Sequence, residues 1–116
     1  MTEKITSKMI GPLRDVETAL IQKDYGKLDK KARGGRLSAE EIRNAINGYG
    51  GTITRMPDEN LHQISIIKVL GTNPTEWAVD LDLWIDNRPS DLTVSIIIQA
   101  SNGGNFMASI DDIHVL

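Results

Sequence analysis

The second half of the chain divides into four runs of about ten residues, separated by three short turn sequences. The runs cover residues 61–70, 76–86, 91–100 and 105–116, and the turns read GTNPT, NRPS and SNGG. Turns this short join antiparallel neighbours, because parallel strands need a much longer crossover. Residues 61–116 are therefore predicted to form a four-stranded antiparallel sheet, with the last strand beside the third.

The first half has the periodicity of helices. Met9, Leu13, Val16 and Leu20 recur at helical spacing and form one apolar stripe. Pro12 interrupts this stretch, since proline lacks the backbone N–H that a helix interior uses. We therefore expect the first helix either to begin near Pro12, with the proline in its first turn, or to kink there.

A short second helix is predicted over the sequence YGKLDKKA. Asp24 can cap its N-terminus, because an aspartate side chain accepts hydrogen bonds from the first free amides of a helix. Leu28 and Ala32 would face inward. The glycines in the sequence RGG, residues 33–35, would end the helix.

The sequence LSAEEIRNAINGYGG predicts a third helix most clearly. Ser38 and Glu41 form a capping box, and Leu37 can pack onto the first turn as a hydrophobic staple. Gly48 would supply the left-handed residue that ends the helix. The inner face would carry Ile42, Ala45 and Ile46.

Helices followed by an antiparallel meander predict one α+β domain over residues 1–116. Helices at about residues 5–48 would pack on one face of a curved four-stranded antiparallel sheet at about residues 61–116. Long strands twist and curl, which leaves the other face concave. This arrangement is the cystatin-like roll, which also occurs in nuclear transport factor-like domains.

Composition excludes several classes of protein. The chain has 116 residues and no cysteine, so disulfides and thiolate metal sites are excluded. The N-terminus is charged and lacks the apolar core of a secretory signal, and no apolar run reaches the length that spans a bilayer. We therefore expect a cytoplasmic protein with no membrane contact.

Charge is distributed unevenly along the chain. The net charge is −3, yet residues 61–116 contain two Lys/Arg against seven Asp/Glu. Such a segment repels nucleic acid and attracts a cationic partner. The basic stretch at residues 27–36 is interrupted by Asp29 and lacks the signature of a nucleic-acid module, so a solvated helix face is the expected interpretation. The alternative for the acidic half is a charge that keeps an exposed sheet face soluble.

The candidate site follows from alternation in the second strand. In the sequence AVDLDLWID, the side chains of Asp80, Asp82, Trp84 and Asp86 share one face, and the aliphatic residues take the other. In the last strand the apolar phase slips at Asp111–Asp112, which predicts a bulge there. We expect one of these two aspartates on the polar face, and His114 in reach of it. Thr93, Ser95, Ile97 and Gln99 from the third strand complete the face.

Three functions compete for this face. A metal site would use the carboxylates and His114, but no dedicated ligand spacing is present, and we predict none. Acid–base catalysis would use an Asp–His pair in a partly dry pocket. A protein-binding face would use Asp80, Asp82, Asp86, Asp111, Asp112 and His114 for orientation, with Trp84 as anchor. For each residue taken singly, an ordinary structural role remains the alternative.

The sequences WAVDLDLW, SDLT and IDDIHVL, preceded by DYGKL, GGRLSAEEI and YGG, resemble a family of small bacterial domains of unknown function. The resemblance covers about residues 24–116. It implies a cystatin-like roll, and relatives of this kind occur among immunity proteins of bacterial toxin systems.

We therefore expect a non-enzymatic binding protein without a cofactor, most concretely an immunity protein of the kind used in contact-dependent inhibition. Its partner would be a basic toxin domain such as a nuclease, and the protein itself would be a monomer or weak dimer. The alternative is a roll-fold protein that binds a small molecule or performs acid–base chemistry with an Asp/His pocket.

Overall fold

The computed structural model describes residues 2–29 and 37–116 and has three α-helices and an open antiparallel sheet. The helices are α1 (Ser7–Ile21), α2 (Ala39–Tyr49) and α3 (Asp58–Leu61). The strands are β1 (Thr2–Lys4), β2 (Ile53–Thr54), β3 (Ser65–Val69), β4 (Glu76–Ile85), β5 (Arg88–Ala100) and β6 (Phe106–Val115). The predicted α+β class is confirmed.

The sheet has six strands where four were predicted. Its order is β1-β3-β4-β5-β6, and β2 pairs separately with β4. All pairs are antiparallel, and β6 lies beside β5 as predicted. The two additional strands have three and two residues, too few to display an alternating pattern in the sequence. The predicted first long strand at 61–70 is shorter than expected, because Leu61 ends α3 and β3 begins at Ser65.

The core lies between the helices and one face of the sheet. The predicted stripe of α1 is buried, with Met9, Leu13, Val16 and Leu20 each at most 4% exposed. The helix begins at Ser7, so of the two predicted alternatives the one that places Pro12 in the first turn is wrong, and Pro12 lies inside the helix. Proline removes a helical hydrogen bond at that point. We infer that burial of the stripe on both sides of Pro12 offsets this loss.

Helix α2 begins as predicted and ends later than predicted. Ser38 Oγ accepts from the Glu41 amide at 3.2 Å, and Glu41 Oε1 accepts from the Ser38 amide at 3.3 Å, which confirms the capping box. The prediction that Gly48 ends the helix is wrong, since α2 continues through Tyr49. Gly50 takes the C-cap position with a φ of 91°.

The predicted short second helix is found as one turn of 3-10 helix over Tyr25–Leu28. Asp24 precedes this turn, but its side chain makes no capping hydrogen bond. Leu28 packs against the core as expected. The predicted inward position of Ala32 and the glycine stop at 33–35 lie outside the described residues.

Candidate functional site

Strand β4 separates apolar from acidic side chains as the alternation predicts. Val79, Leu81 and Leu83 are each 1% exposed and face the helices. Asp80 and Asp82 are exposed and lie on the opposite face. We call that face, which the helices leave uncovered, the open face of the sheet.

Hydroxyl groups of β5 hold both carboxylates in place. Ser95 pairs with Asp80 across the strands and donates its hydroxyl hydrogen bond to Asp80 Oδ1 at 2.8 Å. Thr93 does the same for Asp82 Oδ1, also at 2.8 Å. Thr93 is fully buried although it belongs to the open face. The two aspartates are therefore oriented by the sheet and still present charge to solvent.

The predicted bulge in β6 is present. Ser95 pairs with Asp112 and Ile96 pairs with Ile110, so Asp111 is an extra residue in β6. A bulge of this kind shifts the phase of every later side chain by one position. Asp112 is therefore brought next to Ser95 on the open face.

His114 follows Asp112 on the same face of β6. It pairs with Thr93, and its Nδ1 atom lies 3.1 Å from Asp112 Oδ2. Among the described residues, Nδ1 of His114 has no partner in hydrogen-bond geometry. Its contact with Asp112 is therefore electrostatic. It becomes an ion pair when the imidazole is protonated.

These pairings arrange the acidic residues in two parallel rows. One row runs Asp80, Ser95, Asp112, and the next runs Asp82, Thr93, His114. Successive rows on one face are about 7 Å apart, because strands rise about 3.3 Å per residue. We call these two lines of side chains the acidic rows.

Asp86 does not belong to the acidic rows, which corrects the predicted alignment. It lies in the two-residue turn between β4 and β5, with a φ of 52°, and Asn87 follows at 63°. Its Oδ1 atom accepts from the Thr52 amide at 3.1 Å, and its own amide donates to Thr52 O. The predicted turn NRPS is thus displaced, since β5 already begins at Arg88. This carboxylate has a structural role in joining the turn to the segment before β2.

Trp84 lies beyond the acidic rows, where the pairing of β4 with β5 shifts register. It pairs with Thr54 on one side and Pro89 on the other. The indole is half-buried and packs against the hydrophobic core. Part of its surface is thus already used inside the protein.

The open face also has an apolar part, of which the sequence predicted only Ile97. Ile67 is 53% exposed and Met107 is 60% exposed. Ile67 pairs with Ala78, and Ala78 pairs with Ile97, so these three side chains form the row next to the acidic rows. The alternation of the final strand predicts Met107 on this face, because Phe106 and Ala108 face inward.

A buried charged group in α1 was not predicted. Glu17 is 4% exposed, accepts from Arg14 Nη1 at 2.6 Å and from the Met56 amide at 2.8 Å. Arg14 also donates to Asp58 at the start of α3. The sequence could have indicated this Arg14–Glu17 pair, because residues three apart are neighbours on a helix surface.

A second polar contact lies at the other end of the sheet. Tyr49 donates its hydroxyl hydrogen bond to Asp91 Oδ1 at 2.6 Å. This hydrogen bond raises the pKa of Tyr49 above its ordinary value, because ionisation would remove the donated proton and place two negative charges together. The contact joins the end of α2 to β5.

Residues 2–29 and 37–116 contain no group of three or more His, Cys, Asp or Glu side chains placed to hold a metal ion. Among the helices in these ranges, none combines the length and apolar content that crossing a bilayer requires.

Comparison with known proteins gives one finding. A family model described as "Domain of unknown function (DUF7668)" matches residues 18–116. No curated protein and no solved structure gives a match.

Proposed function

The chain belongs to this family of domains of unknown function, and because membership names no activity, we propose a function from the open face itself. The protein is a non-enzymatic binding module whose acidic rows contact a cationic partner protein. The observation that carries the proposal is the arrangement of Asp80, Asp82 and Asp112 on one uncovered sheet face. Carboxylates fixed on an exposed surface suit electrostatic recognition, which speeds encounter and sets orientation.

The most concrete form of this proposal is an immunity protein with a cystatin-like roll. Such a protein would neutralise a co-encoded bacterial toxin by covering its active site. A nuclease toxin has a basic cleft, because it must bind a polyanion. The acidic rows match such a cleft in charge, and Trp84 could add contact area beside them.

Proton-transfer chemistry has less support than binding. A catalytic carboxylate is typically tuned by burial or by a neighbouring charge so that its pKa approaches the working pH. Asp80 and Asp82 are exposed, and Asp112 beside His114 is exposed as well. Each of the first two accepts a hydroxyl hydrogen bond from β5. None of the three has the burial that would distinguish a catalytic carboxylate from a surface one.

The test is charge reversal on the open face. We would measure binding of the protein carrying Asp80→Lys and Asp82→Lys to the basic domain encoded by the adjacent reading frame. We expect affinity to fall by more than a hundredfold, mostly through slower association. That loss corresponds to about 2.8 kcal/mol, at 1.4 kcal/mol for each factor of ten. Added salt should slow wild-type association, since charges separated by more than about 8 Å are screened at physiological ionic strength.

A matched control changes the charge equally on another surface. Asp15 lies in α1 and Asp24 precedes the 3-10 turn, and both are exposed. Asp15→Lys with Asp24→Lys should leave binding within about threefold of wild type. The proposal fails if the open-face variant folds and still binds and protects at wild-type strength.

A further inference from the structure

The apolar part of the open face contains a groove beside the acidic rows. The groove has a volume of about 350 Å³ and is lined by Glu76, Ile97, Gln99, Met107, Ala108, Ser109 and Asp111. Ile97 and Met107 give it an apolar lining, and Met107 is 60% exposed. Glu76 and Asp111 supply the carboxylates that line it.

Neighbouring contacts hold this groove in shape. Met107 pairs with Gln99, and Gln99 pairs with Glu76, so the three residues form one row across β6, β5 and β4. Gln99 Nε2 donates to Glu76 Oε2 at 3.4 Å. Ile97 lies in the next row, between Ala78 and Ser109. The apolar lining and at least one carboxylate are therefore positioned by strand pairing rather than by a mobile loop.

We propose that this groove receives an arginine side chain of the partner protein, with its methylene stem along Ile97 and Met107 and its guanidinium at the Glu76 carboxylate, which Gln99 holds in place. The proposal rests on the proposed function and names the chemistry of the contact. A long cationic side chain buries its stem on apolar surface and keeps its charged group at a polar edge. Arginine fits better than lysine, because its planar fork can donate to more than one carboxylate oxygen.

A second copy of this chain is a poorer occupant. Packing two open faces together would bring Asp80, Asp82 and Asp112 of one copy towards those of the other. Like charges in contact cost several kcal/mol. Lys4 stands on the same face opposite Ser65, but at the β1 edge, across the sheet from β6. Charge complementarity therefore favours a cationic partner.

The first experiment uses a defined probe and the whole chain. The probe is an acetylated, amidated glycyl-arginyl-glycine peptide, and its counterpart replaces arginine by the neutral isostere citrulline. Peptide is titrated into isotopically labelled protein, and amide shifts are followed by NMR. We expect saturable shifts centred on Ile97, Met107 and Ser109, with at least fivefold weaker binding of the citrulline peptide. Equal binding of the two peptides, or no saturable shift in the groove, overturns the proposal.

Variants separate the groove from other surfaces. Glu76→Gln keeps an acceptor for Gln99 and removes the charge, and Met107→Ser removes exposed apolar surface. Each of these two substitutions should weaken binding of the arginine peptide at least threefold. Leu70→Ser is the control, because Leu70 is 87% exposed and lies in the turn after β3, outside the groove. Unchanged affinity in Met107→Ser, or an equal loss in Leu70→Ser, contradicts the assignment.

The same variants, tested against the adjacent-frame basic domain, distinguish failure of this inference from failure of the proposed function. If Asp80→Lys with Asp82→Lys abolishes binding but Glu76→Gln and Met107→Ser leave it unchanged, the groove assignment is wrong and the binding function stands. If none of them affects binding, both are wrong. The remaining outcome is self-association through this face, which sedimentation of the free protein tests. A dimer that Met107→Ser dissociates would make this face a contact between copies and overturn the arginine assignment.

Discussion

Replacing Glu17 by alanine should cost the protein a large part of its stability. The carboxylate is 4% exposed and accepts from Arg14 and from the Met56 amide. Removing one member of a buried pair typically costs about 3–5 kcal/mol, because the other charge is left without compensation. Arg14 keeps a contact with Asp58, so we expect a value near the lower end, about 3 kcal/mol.

Urea unfolding followed by circular dichroism measures this effect. Glu17→Gln should cost less, about 1–2 kcal/mol, because glutamine still offers Met56 an acceptor but loses the charge. Asp15→Asn is the matched control, since it removes an exposed carboxylate from the same helix and should stay within about 0.5 kcal/mol of wild type. The reasoning is refuted if the free energy of unfolding of Glu17→Ala lies within about 1 kcal/mol of the wild-type value.

Three further predictions concern the sheet, a helix cap and pH. Leu81→Ala should cost roughly 2–5 kcal/mol in urea unfolding and Asp82→Asn far less, because Leu81 is 1% exposed and asparagine keeps an acceptor oxygen; the opposite order would mean that the faces are exchanged. Ser38→Ala should cost about 1 kcal/mol with partner affinity unchanged, and weaker binding at intact stability would place α2 in the interface. The hydrogen bond and charge of Arg14 hold the pKa of Asp58 below its ordinary value of 3.8. Its stabilisation is therefore present above pH 3.8 and lost as pH falls through the lower folded-state pKa, so the unfolding free energies of wild type and Asp58→Asn should differ most at pH 7 and approach each other as pH falls below 3.8. A difference in unfolding free energy that stays constant as pH falls would show that this carboxylate contributes nothing through its charge.

The sheet faces could be predicted from sequence because a strand places alternate side chains on opposite sides. The alternation therefore predicted that Leu81 is buried and that Asp82 is exposed. The bulge at Asp111 was predictable for the same reason, since the apolar phase before it differs from the phase after it. These features depend only on neighbours within one strand.

Other features depend on partners that are distant in sequence. Glu17 accepts the Met56 amide 39 residues away, and no local pattern indicates that contact. Asp86 looked like the end of a strand because it continues the alternation of β4. Its positive φ makes it a turn residue, as aspartate and asparagine permit more readily than most residues. The prediction thus placed Asp80, Asp82, Asp112 and His114 on one face correctly. Asp86 lies in a turn, Asp111 is the extra residue of the bulge, and Trp84 lies beyond the acidic rows.

The bulge in β6 has a consequence for aggregation. β6 is the last strand in the sheet order, and such strands offer backbone groups to which another chain could add. The extra residue Asp111 interrupts the regular spacing of those groups, and Asp112 places a second carboxylate beside it. A strand from a neighbouring molecule would therefore meet a broken register and two negative charges midway along β6. We expect the protein to stay dispersed at high concentration at neutral pH despite a ten-residue strand at this position.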